Sequence, residues 1–276
     1  MKRYLLFSAI LFCSAISGFS QAVLQPVAAR YLALGAYSSS NVDIYATRTN
    51  SASLAELKQA GACVYGEQRF LISDLNLYTA SVAVPTNSGT FAFHASYFGF
   101  DLSNQSQFAL AYGRKITSKL DIGAAFYYQQ LNQAGIYGNA SAMTGSVSLL
   151  LHLTDKIHAG INAYNPIRSA YDKEKTERLA SQYTMGIGFD ASDKLYVSTE
   201  LVKEEGHNLN VNAGFQYQFI KQFFIRGGIA TLTTNYFFGL GFRLKDFRLD
   251  VSSSYHPQLG LTPGLMLLYN FGKKRE

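Results

Sequence analysis

Between His207 and Phe219 the chain reads HNLNVNAGFQYQF, and its side chains divide by parity into two unlike sets. Leu209, Val211, Ala213, Phe215, Tyr217 and Phe219 fall on one side; Asn208, Asn210, Asn212, Gly214, Gln216 and Gln218 fall on the other. Successive side chains of a β-strand point to opposite faces, so this segment has one apolar wall and one polar wall. It is longer than an ordinary globular strand and suits a tilted membrane crossing of roughly 9–11 residues. The pattern recurs through most of the chain. It predicts an all-β fold, a transmembrane antiparallel β-barrel.

Runs between turn signals give about fourteen strands, in keeping with the even counts of bacterial barrels. The expected limits are 61–70, 74–84, 89–99, 105–116, 120–130, 141–153, 156–164, 181–190, 194–203, 207–219, 222–231, 234–244, 246–255 and 262–271. Connections after even strands are short, as at Pro85–Ser88 and Ala191–Asp193, whereas Leu131–Ala140 and Asn165–Ala180 after odd strands are long. Short periplasmic turns and longer outer loops have this asymmetry, which puts both termini in the periplasm. The prolines stand at strand ends or in connections, where no ladder hydrogen bond is lost. Glycines recur inside strands, at Gly123, Gly186, Gly188 and Gly241 among others, where they ease curvature or make room in the lumen.

The N-terminus supplies the compartment. Lys2 and Arg3 precede the apolar run Leu5–Ile16, with small residues near Ser20: a secretory signal peptide over 1–20, too short in its core to span a membrane. After it come a hatch-like segment over 21–60, the barrel over 61–271 and a short periplasmic tail over 272–276. The mean hydropathy is near zero, as expected when polar lumen residues offset lipid-facing ones. Only Cys63 remains after the leader, so no disulfide framework is available. Loss of Lys2 and Arg3 lowers the formal charge of +6 by two, and the remaining basic residues form no concentrated face, which argues against nucleic-acid partners. Tyr and Phe are abundant (19 and 20) while Trp is absent, so any interfacial girdle must be built from Tyr and Phe. The last strand, GLMLLYNF, ends on Phe271, similar to the terminal aromatic read by the barrel assembly machinery, although five residues follow it.

The region before the first strand does not alternate. It contains Gly35-Ala36, then Asp43, then Asn50-Ser51-Ala52-Ser53-Leu54. This layout resembles the FadL-type long-chain fatty-acid transporter superfamily and its relatives, including the PorV/PorQ-like barrels of type IX secretion. In those proteins a hatch carries a glycine-alanine start, an acidic residue and an Asn-Pro-Ala-Gly-Leu-like motif. Here Ser51 and Ser53 replace the family's proline and glycine. Asp43, Asn50, Ala52 and Leu54 are the positions that match. The resemblance implies an outer-membrane barrel in contact with lipid, with a hydrophobic ligand passing around the hatch or, in the secretion-linked branch, protein partners docking on loops.

Parity assigns Arg226, Arg243, Arg248 and Asp250, on three successive strands, to one lumen wall. Such a wall suits an anionic headgroup, since guanidinium pairs well with carboxylate or phosphate. The competing reading is mutual pairing that closes the lumen, with Glu200, Asp190 and Asp121 as further inward acids. His94 and Ser96 share a strand face like the catalytic pair of an outer-membrane phospholipase, but they face inward and no orienting acid accompanies them. His152, His158, His207 and His256 make no metal-ligand spacing, and no phosphate or dinucleotide loop is present. The expectation is a non-enzymatic barrel without metal or cofactor. A soluble β-sandwich would use the same alternation but would not need such long strands.

Overall fold

The computed structural model describes residues 34–134, 138–171, 178–232, 234–272 and 274. The signal peptide and all but Arg178 of the charged DKEKTER stretch lie outside the described residues. A helical turn, α1 (Ala46–Thr49), and a 3-10 helix, Ser51–Glu56, precede fourteen strands. These are β1 Ala60–Gln68, β2 Asn76–Thr86, β3 Gly89–Phe100, β4 Ser103–Thr117, β5 Leu120–Gln133, β6 Gly138–His152 and β7 Ile157–Tyr164. There follow β8 Gln182–Ser192, β9 Leu195–Glu204, β10 Asn210–Gln218, β11 Phe223–Ala230, β12 Asn235–Leu244, β13 Phe247–His256 and β14 Gly260–Phe271. Every strand pairs antiparallel with its sequence neighbours, and β14 pairs with β1 (Ala60 opposite Phe271) to close the barrel. Closure removes both sheet edges, which otherwise leave backbone groups unpaired.

Each predicted strand forms within three residues of its expected limits. Two local differences have physical causes. The expected loop Leu131–Ala140 is largely strand, because Leu131 pairs with Ala140 and Asn132 with Asn139. Beyond the apolar belt neither face must be greasy, so this hairpin continues without an alternating signature. Pro85, expected in a turn, sits one residue inside β2 opposite Thr90, near the strand end where a missing donor costs little.

Parity sorts the side chains as the pattern demands. Val82, Phe93, Leu110, Phe126, Val197, Phe215, Phe238 and Leu240 are exposed on the outer wall, Leu240 by 64%. An outer wall of this chemistry is stable only against lipid. Aromatic pairs ring the end that carries the short turns: Phe91–Tyr112, Phe223–Phe242 and Phe247–Tyr269 have ring centroids 4.8, 4.8 and 4.5 Å apart. At the opposite end Tyr78 pairs across strands with Tyr97, and Tyr236 with Tyr255. Tyrosine thus fills the girdle role usually shared with tryptophan. The architecture is that of a transmembrane β-barrel.

Candidate functional site: a plugged lumen

Residues 34–57 run inside the barrel against its inner wall. Two glycines show how closely the segment approaches the wall. A Cβ at Gly188 would lie 1.9 Å from the carbonyl oxygen of Tyr37, and one at Gly123 would lie 2.2 Å from the amide of Ala52. Only glycine leaves space for backbone at those distances.

The plug is amphipathic. Ile44, Tyr45 and Leu54 pack on the small side chains Ala83, Ala92, Ala109, Ala111 and Ala125 of β2–β5. Its other flank is polar and hydrogen-bonded throughout. Ser198 Oγ accepts from the Gly35 amide (3.0 Å), and Tyr196 donates to the Gly35 carbonyl (2.7 Å). Tyr37 donates to Glu200 (3.0 Å), while Ser38 and Asn41 donate to Asp190 (2.8 Å each). Burial, with the Glu200 carboxylate beside it, raises the Tyr37 phenol well above its ordinary value, so it stays a donor. Asn50 caps the 3-10 helix by accepting from the Ala52 amide and donates to the Leu149 carbonyl (3.0 and 3.1 Å). Ser51 and the Ala52 amide both reach Ser148 Oγ (2.8 and 2.9 Å).

An ion-pair chain joins plug to wall. Arg226 donates to Asp250 at 2.8 Å, Arg248 donates to the same carboxylate at 2.6 Å, and Arg248 Nη1 reaches Asp43 of the plug at 2.9 Å. All four groups are buried. Three guanidiniums surround the Phe224 ring, with Arg226, Arg248 and Arg243 at 4.5, 5.4 and 5.8 Å from its centroid. A buried charge is tolerable when paired and hydrogen-bonded, and this cluster meets that condition internally.

The mouth opposite the short turns is roofed by the described residues of the connection after β7, 165–171 and 178–181. Asn165, in the left-handed region (φ 51°), accepts from Thr144 (2.6 Å) and donates to the Leu179 carbonyl (2.7 Å), while Ser181 donates to its carbonyl (2.8 Å). Tyr171 donates to Gln129 (2.9 Å), on the strand wall below the roof. Gln107, Gln129 and Tyr127 of the wall and Arg48 of the plug are all buried.

Sequence comparison finds no matching family model and no matching curated protein. Among solved structures the chain is similar to the CymD monoaromatic hydrocarbon channel (TM-score 0.66, 12% identity, 87% of this chain and 95% of that one). It is also similar to the Ralstonia pickettii toluene transporter TbuX (TM-score 0.60, 12%, 86% and 95%). A Pseudomonas aeruginosa FadL homologue superposes with TM-score 0.60 at 13% identity, over 86% of this chain and 96% of that one. The fold is a FadL-like barrel.

Within that fold, the matching motif positions Asp43, Asn50, Ala52 and Leu54 are all buried in the plug–wall contact. Of the four proposed headgroup residues, Arg226, Arg248 and Asp250 converge as parity implied. Arg243 stands exposed near the end of β12, one residue before the turn, and meets the group at the Phe224 ring. Glu200, Asp190 and Asp121 do not partner these arginines; they bind Tyr37, Ser38 and His152 instead. The acid that completes the arginine pairing is Asp43, which came from a segment without periodicity. His94 hydrogen-bonds Ser81 on the neighbouring strand (2.6 Å). Sequence reading missed that His152 and His158 stand opposite each other across a hairpin, because pairing register is not written in their spacing.

Proposed function

We propose that this protein is an outer-membrane channel for small hydrophobic or amphipathic molecules, with residues 34–57 as its hatch and both termini in the periplasm. The observation that carries the reading is the amphipathic plug itself. It rests on an alanine-lined apolar wall on one side and a polar, charge-paired wall on the other. A molecule that enters beneath the roof meets the apolar contact of Ile44, Tyr45 and Leu54, and passage requires that contact to yield before the ionic one.

The fold's neighbours support this choice of substrate class, since they are described as a monoaromatic hydrocarbon channel and a toluene transporter. The arginine cluster supports a role in plug retention over headgroup capture, because Arg226 and Arg248 are already paired with Asp250 and Asp43. Docking of secretion partners had one candidate loop, 165–180, and its described residues fold onto the barrel mouth through Asn165. No observation favours that reading. The terminal strand and its Phe271 suit delivery by the barrel assembly machinery.

Radiolabelled toluene uptake tests the proposal in cells expressing the full chain. Saturable uptake above the empty-vector control is expected, with no gain for a polar sugar of similar size. A gain for the sugar alone would make the protein a hydrophilic porin and overturn the hydrophobic-substrate reading.

A further inference from the structure

We propose a divalent transition-metal site, of the zinc class, that bridges the hatch to the barrel wall through Glu56, Asp121 and His152. Glu56 ends the plug's 3-10 helix, Asp121 lies at the start of β5, and His152 ends β6. One ligand atom from each lies within 4.8 Å of the others. His152 Nε2 is 2.9 Å from Asp121 Oδ2 and 3.6 Å from Glu56 Oε1. A zinc ion with bonds of ~2.1 Å holds its ligand atoms ~3.4 Å apart, so small side-chain movements complete the site.

The second observation is an orphan. Asp121 is 0% exposed, yet with both it and Glu56 ionised its other oxygen, Oδ1, has no hydrogen-bond partner among the described residues. Fully buried carboxylate oxygens are rarely left so, and a cation in the cluster would satisfy it. Two carboxylates also share this space with a single ammonium, Lys115, which reaches Glu56 at 2.6 Å from a half-exposed side chain. That ammonium can swing to solvent when a cation takes its place.

The outer shell is already arranged as a ligating histidine requires. His152 turns Nδ1 to His158 Nδ1 at 2.8 Å, and His158 Nε2 stands 3.3 Å from Asp190. A proton on His152 Nδ1, shared with the His158 ring, leaves Nε2 as the free lone pair. An imidazole among the donors, with three protein ligands in all, favours zinc over calcium or magnesium. The ion would fasten the plug at its C-terminal end, on the opposite side from the Arg248–Asp43 pair.

Calorimetric titration of the chelator-stripped, detergent-solubilised protein with Zn²⁺ tests the site. One-to-one binding is expected. Glu56→Gln and His152→Gln should each weaken it at least ~10-fold, with His158→Gln weakening it by roughly 10- to 100-fold through the outer shell. His256→Gln, at a distant half-buried histidine at the end of β13, should leave binding unchanged. Glu56→Gln lies in the plug and leaves every strand intact, so it decides the matter if a wall variant fails to fold. No binding by the unaltered protein, or binding by Glu56→Gln and His152→Gln as tight as that of the unaltered protein, would overturn the site.

Discussion

Arg248→Ala is expected to release the plug while the barrel stays closed. The substitution leaves Asp43 buried without its guanidinium, whereas Asp250 keeps Arg226. Breaking a buried pair from one side costs about 3–5 kcal/mol, because the abandoned charge remains desolvated. That energy converts to a rise of roughly two to four orders of magnitude in the open population. Trypsin reads the change directly, since Arg48 is buried in the intact plug and becomes a cleavage site when the plug leaves. Arg248→Lys should fall between, because an ammonium cannot reproduce the fork that serves Asp43 and Asp250 together. Equal resistance at Arg48 in all three proteins would remove the ion pair from the account of plug retention.

The second large effect concerns the outer wall. Phe215→Arg is expected to cost ~2–4 kcal/mol, the penalty for a cation on the lipid face near the bilayer midplane. It should sharply reduce the fraction that migrates as a folded, heat-modifiable species. Parity alone suggests Gln216→Arg as the harmless control, but the lumen contradicts that choice. Gln216 Oε1 accepts from Arg226 Nε at 2.8 Å, and Gln216 donates to Asn41 at 3.0 Å. A second guanidinium there would face the first. Gln216→Glu supplies a charge of the right sign and should assemble like the parent protein. Similar losses from Phe215→Arg and Gln216→Glu would defeat the assignment of faces.

The barrel was legible because lipid outside and a filled lumen inside impose opposite chemistry on alternate residues. Phe215 and Gln216 declare their faces with no knowledge of the partner strands. Legibility ended where that contrast ended. Asn132, Gln133 and Asn139 pair in a hairpin beyond the apolar belt, and nothing in their polarity marks them as strand. Arg243 keeps inward parity yet stands at the barrel's rim, since parity says nothing of depth along the axis. The plug was harder still. Asp43 and Glu56 lie in an aperiodic segment, and their partners Arg248 and Lys115 are distant in sequence and meet them only once the barrel closes. The same closure brings His152 and His158 together. Resemblance of residues 35–54 to a family hatch pointed to the segment, but not to which wall residues hold it.

Residues 34–57, packed against the inner wall, block passage through the barrel. Single-channel recording in planar bilayers tests this block most directly, comparing the intact protein with a variant lacking Gln21–Lys58. The intact barrel should show small or rare openings, and the deletion should show stable, much larger conductance steps. A folded deletion variant whose traces match those of the intact protein would contradict the plug, and with it the channel reading built on it.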